Sequence, residues 1–60
     1  MRLTIKMTLD NADFENDPIG TALKLINRVL PRINPTHGDY EIIFDSNGNT
    51  VGRIEFVKGG

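Results

Sequence analysis

The sequence predicts an α+β fold of element order β-α-β-β, a three-stranded antiparallel sheet with one helix on one face. Three observations predict it. Residues 2–9 alternate apolar and polar side chains, residues 19–33 carry apolar side chains three and four apart, and Asp45-Ser46-Asn47-Gly48-Asn49 separates two strand-like runs.

In the first run, Leu3, Ile5, Met7 and Leu9 alternate with Arg2, Thr4, Lys6 and Thr8. Period two is the pattern of a strand with one buried face. Asp10 to Asp17 breaks the alternation and reads as an acidic loop. Asp17-Pro18 then marks a helix start, since Asp caps free N–H groups and proline at the first helical position has none to lose.

Ala22, Leu23, Ile26, Val29, Leu30 and Ile33 form the apolar stripe of that helix, widened by Leu25, while Thr21, Lys24, Asn27 and Arg28 lie on the polar side. This is the spacing of an amphipathic helix with one face toward a core. Pro31 ends it near Leu30, because a residue before proline avoids helical geometry. Arg28 and Arg32 complement the dipole at that end. Asn34-Pro35-Thr36-His37-Gly38-Asp39 is a turn-rich connection to Tyr40-Glu41-Ile42-Ile43-Phe44.

Asn-Gly between apolar-rich runs is a strong hairpin signal, because glycine reaches positive φ without steric cost. A two-residue turn would pair Phe44 with Val51 and Ile42 with Arg53. It would put Ile54 and Phe56 on the opposite face from Tyr40, Ile42 and Phe44. A three-residue loop with Gly48 left-handed pairs Phe44 with Thr50, Ile42 with Gly52 and Tyr40 with Ile54, gathering the large side chains on one face. Glu41 then opposes Arg53, and Ile43 opposes Val51. A one-residue slip reverses every side chain, so burial should select the bulged loop.

With the last strand central, the order is 2-3-1 and no parallel pair is needed. The predicted core is Leu3, Ile5, Met7, Leu9, Ala22, Leu23, Ile26, Val29, Leu30, Tyr40, Ile42, Phe44, Ile54 and Phe56. Sixty residues make a single domain, 1–60. A core this small leaves net stability of roughly 3–5 kcal/mol. With no cysteine, there is neither a disulfide framework nor a thiolate metal site. Seven basic against eight acidic residues exclude a strongly basic nucleic-acid binder or an acidic DNA mimic on charge alone. No apolar run reaches the roughly 20 residues that span a bilayer, and the alternating N-terminus is unlike a signal peptide. The expectation is a soluble, cytoplasmic protein.

The carboxylates of Asp13, Glu15 and Asp17 invite a calcium reading. The EF-hand pattern, however, wants glycine and glutamate where Pro18 and Lys24 stand. Turn chemistry accounts for Asp45, Asn47 and Asn49. His37 is the single histidine and has no partner that sequence can place. There is no phosphate loop and no nucleophile motif. The residues therefore argue against catalysis and supply no metal or cofactor site.

Two candidate surfaces remain. Lys24, Arg28 and Arg32, at i, i+4 and i+8, form a basic stripe suited to nucleic acid or an acidic partner. The outer sheet face would present Thr4, Lys6, Thr8, Glu41, Ile43, Val51, Arg53, Glu55 and Val57. Of these, Lys6, Glu41, Ile43, Val51, Arg53, Glu55 and Val57 are the expected contacts for a protein partner. An apolar patch on an uncovered face suits binding or self-association, by face or by open edge, so a homo-oligomer is expected.

Leu9-Asp10-Asn11-Ala12-Asp13-Phe14 and Asp45-Ser46-Asn47-Gly48-Asn49-Thr50-Val51-Gly52 resemble, in order and spacing, small proteins of tailed bacteriophages and prophages. Those proteins carry an LDNAxF stretch, a helix and a D-x-NGN-x-VG hairpin. The resemblance covers most of the chain. It implies a bacterial cytoplasm and an accessory protein that works by binding a host or phage protein; an inhibitor of a host defence protein is one such form. It transfers no functional residues.

Overall fold

The computed structural model describes residues 1–34 and 38–57. Strand β1 spans Arg2–Met7, helix α1 Pro18–Val29, strand β2 Tyr40–Phe44 and strand β3 Thr50–Val57. A 3-10 turn at Ala12–Phe14 precedes α1, and a second at Leu30–Arg32 follows it. The sheet is antiparallel in the order β1-β3-β2, with α1 against one face. His37 lies outside the described residues.

Local signals place the helix. Pro18 is its first residue, and the Asp17 side chain accepts a hydrogen bond from the Gly20 N–H at 3.0 Å. The Leu30 N–H still donates to Ile26, after which Pro31 tightens the chain into the 3-10 turn.

The turn forms as the spacing predicts, but the hairpin body does not. Asp45 N–H donates to Asn49 (2.9 Å) and Gly48 N–H to Asp45 (3.2 Å), with Gly48 at φ 83°. This is the three-residue loop with left-handed glycine, and Phe44 pairs with Thr50. One step further the ladder slips. Ile43 pairs with Gly52, Ile42 with Arg53 and Tyr40 with Glu55, leaving Val51 as an unpaired bulge residue. That single bulge restores the register that burial was expected to reject.

The faces of β2 are therefore reversed. Ile43 and Ile54 are fully buried, and Val51 joins them with Phe14, Leu25, Val29 and Ile33. Tyr40 and Phe44, expected in the core, are 52% and 49% exposed. Helix coverage explains the reversal. Twelve helical residues extend about 18 Å, whereas the eight of β3 extend about 26 Å. So short a helix covers isoleucines and a valine more completely than it could cover two additional aromatic rings.

Other core expectations also change. Leu25 is the buried centre of α1, while Leu23 on the flank is exposed. Phe14 leaves the acidic loop to fill the space beneath the helix. Leu3, Ile5 and Leu9 are exposed; Leu3 and Ile5 pair with Phe56 and Ile54, which puts them on the helix side of the sheet.

Candidate functional site

The outer sheet face follows from the pairing. β1 contributes Arg2, Thr4 and Lys6, β3 contributes Arg53, Glu55 and Val57, and β2 contributes Tyr40 and Ile42, with Phe44 beside Thr50 at the turn end. Arg53 is central, between Lys6 and Ile42. Its guanidinium carbon stands 4.1 Å from the centroid of the Tyr40 ring, and its Nη2 is 3.2 Å from Glu55 Oε2. Stacking and ion pairing hold this otherwise flexible side chain in place, although an exposed pair of this kind adds little to stability. Three cations stand against one carboxylate here, in a chain of net charge −1. Among the described residues no helix covers this face.

Of the expected partner contacts, Lys6, Arg53, Glu55 and Val57 lie on this surface. Ile43 and Val51 do not, because the slipped register buries both under α1. Glu41 pairs with Ile54 and so turns to the helix side, half-buried, and Arg53 takes Glu55 in place of Glu41. Tyr40, Ile42 and Phe44 take the vacated places. Their alternation was visible in the sequence; the side they face depends on the bulge.

The basic stripe runs along α1 and into the 3-10 turn that follows it. Lys24 and Arg28 are exposed on α1 and line a hollow of about 260 Å³ with Asp13, Thr21, Leu25 and Ser46. Arg32 lies beyond the helix, on the 3-10 turn. The Asp13 carboxylate in that hollow opposes the positive field of its two neighbours.

The two sequence motifs meet in space. Asn11 Nδ2 donates to Asp45 Oδ2, and Asp13 accepts from the Ser46 N–H (2.9 Å) and hydroxyl (2.9 and 2.8 Å). Asp45 also accepts from the N–H groups of Asn47 (2.9 Å) and Asn49 (2.8 Å) and from Asn49 Nδ2 (3.2 Å). One buried carboxylate thus organises the hairpin turn and ties the loop after β1 to it. Among the described residues no three His, Cys, Asp or Glu side chains gather as metal ligands. The Asp45 constellation is structural: its carboxylate accepts hydrogen bonds from Asn11, Asn47 and Asn49 of the chain itself.

Burial alone pushes the Asp45 carboxyl up, but the hydrogen bonds from Asn49, Asn11 and Asn47 outweigh it and hold the group below its ordinary 3.8. A depressed folded-state pKa contributes stability that is complete above the unfolded value and is lost as pH falls through the folded one. Thermal stability should therefore fall as pH drops below about 4. Asp45→Asn should flatten that acid limb while lowering the melting temperature at pH 7. An unchanged acid limb in the variant would remove Asp45 from this role.

The chain matches no protein-family model, no curated protein and no solved structure. No helix among the described residues is long and apolar enough to cross a membrane.

Proposed function

We propose that the chain is a non-catalytic protein-binding module, a small phage or prophage accessory protein that acts in the bacterial cytoplasm by occupying a host or phage protein, with inhibition of a host defence protein as one form. The observation that supports it is the uncovered sheet face, with Tyr40, Ile42 and Phe44 in one stripe and Arg53 anchored beside them. Tyrosine and arginine at the centre of a rigid patch are the residue types that dominate binding energies at protein interfaces. A face built on strands presents them with little entropy left to lose on docking.

Affinity capture from infected bacterial lysate tests the reading. The double variant Tyr40→Ala, Phe44→Ala should fold normally and lose its captured protein, with affinity reduced at least about tenfold. Lys24→Glu with Arg28→Glu should leave capture unchanged. Undiminished capture by the outer-face variant would sink the proposal.

The second reading, nucleic-acid binding, draws its support from this same face rather than from Lys24, Arg28 and Arg32. Two exposed aromatic rings, Tyr40 against Arg53 and Phe44 at the turn end, with Lys6 and Arg2 on the same face, are the parts of a stacking platform for single strands. A salt titration with a single-stranded oligonucleotide separates the readings, since phosphate contacts make affinity fall steeply with salt.

A further inference from the structure

β1 is an edge strand. The Thr8 N–H donates to Val51 of β3 at 2.7 Å. The peptide groups of Arg2, Thr4 and Lys6 share that direction, so those of Leu3, Ile5 and Met7 point out from the open edge. Edge strands are protected by charged side chains, by proline, by a bulge or by a charge turned toward the core side. β1 carries Arg2 and Lys6 on its outer face only and has no proline, bulge or core-side charge: its helix-side residues are Leu3, Ile5 and Met7, with Leu3 45% and Ile5 39% exposed.

We propose that this edge pairs with β1 of a second copy, antiparallel about a two-fold axis through Ile5, joining two three-stranded sheets into one. The charges on the strand select that register. A pairing must match odd with odd residues for the outward peptide groups to meet and the apolar faces to coincide. Centred on Thr4, it sets Arg2 directly against the partner's Lys6, twice. Centred on Lys6, it sets that lysine against itself. Centred on Ile5, it brings no like charges face to face, and directly opposed like charges are destabilising.

The Ile5 register also gives Lys6 a counter-charge. Lys6 crosses the partner's Thr4 toward the partner's Glu55, which neighbours that threonine on β3. Arg2 faces the partner's Thr8, just past the end of the partner's strand. On the helix side Ile5 meets its own counterpart and Leu3 meets the partner's Met7. The exposed apolar edge is then covered by an identical one, as an isologous interface requires. This pairing leaves Tyr40, Ile42, Phe44 and Arg53 free and is independent of the reading given for them.

Analytical ultracentrifugation across a concentration series tests it. The wild-type chain should sediment as a reversible dimer, and Ile5→Lys should weaken the dimer at least about tenfold while keeping the wild-type circular dichroism spectrum. Tyr40→Ala should not alter it. The native chain has no cysteine, so the register is read separately in a glutathione redox buffer. Ile5→Cys should form a disulfide-linked dimer, whereas Thr4→Cys and Lys6→Cys should remain largely monomeric on a denaturing gel. A wild-type monomer at every concentration overturns the proposal, as does a dimer that survives Ile5→Lys or yields to Tyr40→Ala. Preferential cross-linking of the Thr4→Cys or Lys6→Cys chain overturns the register.

Discussion

Ile43→Ala is expected to unfold much of the protein at room temperature, while Ile42→Ala, one residue away, leaves it folded. Ile43 is fully buried beneath α1, and a buried isoleucine cut to alanine costs about 2–5 kcal/mol through lost transfer energy and the cavity left behind. A chain of this size has roughly 3–5 kcal/mol of net stability to lose. Ile42 lies on the uncovered outer face opposite Arg53, where truncation removes partial contacts and opens no enclosed cavity. Its cost should remain below about 1 kcal/mol. Urea denaturation followed by circular dichroism compares the two directly. Ile54→Ala, equally buried in the facing strand, should behave like Ile43→Ala. In the register without the slip at Val51 the ranking of Ile42 and Ile43 would be inverted, so the pair measures which face of β2 meets the helix.

That inversion shows where legibility in the sequence ends. Asp17, Pro18 and Gly48 act on their immediate neighbours, and each is found where its local chemistry puts it. The central place of β3 follows from connectivity and antiparallel pairing, both decided by short loops. The side of the sheet that Ile43 takes depends on one unpaired residue, Val51, just past the turn. Alternation carries no information about such an insertion, because Tyr40, Ile42 and Phe44 form as good an apolar stripe as Ile43 and its neighbours. The length of α1 breaks the tie, but only against the assembled sheet that it has to cover. Phe14 was missed for another reason: its carboxylate neighbours look solvated, and only contact with the distant hairpin turn makes that loop part of the core. Asn11 reaches Asp45 and Asp13 reaches Ser46 across more than thirty positions. The signal was the presence of both motifs together, which local periodicity does not decode.

Gly52→Ala is expected to destabilise the protein by about 1–3 kcal/mol, the range for forcing an atom into occupied space. Gly52 lies in the central strand between Met7 and Ile43. A Cβ there would collide with the Lys6 carbonyl oxygen and stand 2.8 Å from Met7 Cγ. The methionine can rotate away, whereas the carbonyl is backbone and moves only if β1 does. Its φ is not positive, so relief of chain entropy alone would make alanine neutral or mildly stabilising. Gly48→Ala poses the opposite case. Open space surrounds that position, but φ of 83° costs alanine about 1–2 kcal/mol. Asparagine, which tolerates left-handed geometry, should recover much of that loss at position 48 and none at position 52. Denaturant midpoints for the four variants separate steric from conformational glycine, and a neutral Gly52→Ala would refute the close approach. Hydrogen exchange adds the location: with Gly52→Ala protection should fall first in β1, the strand that must move, and with Gly48→Ala at the turn.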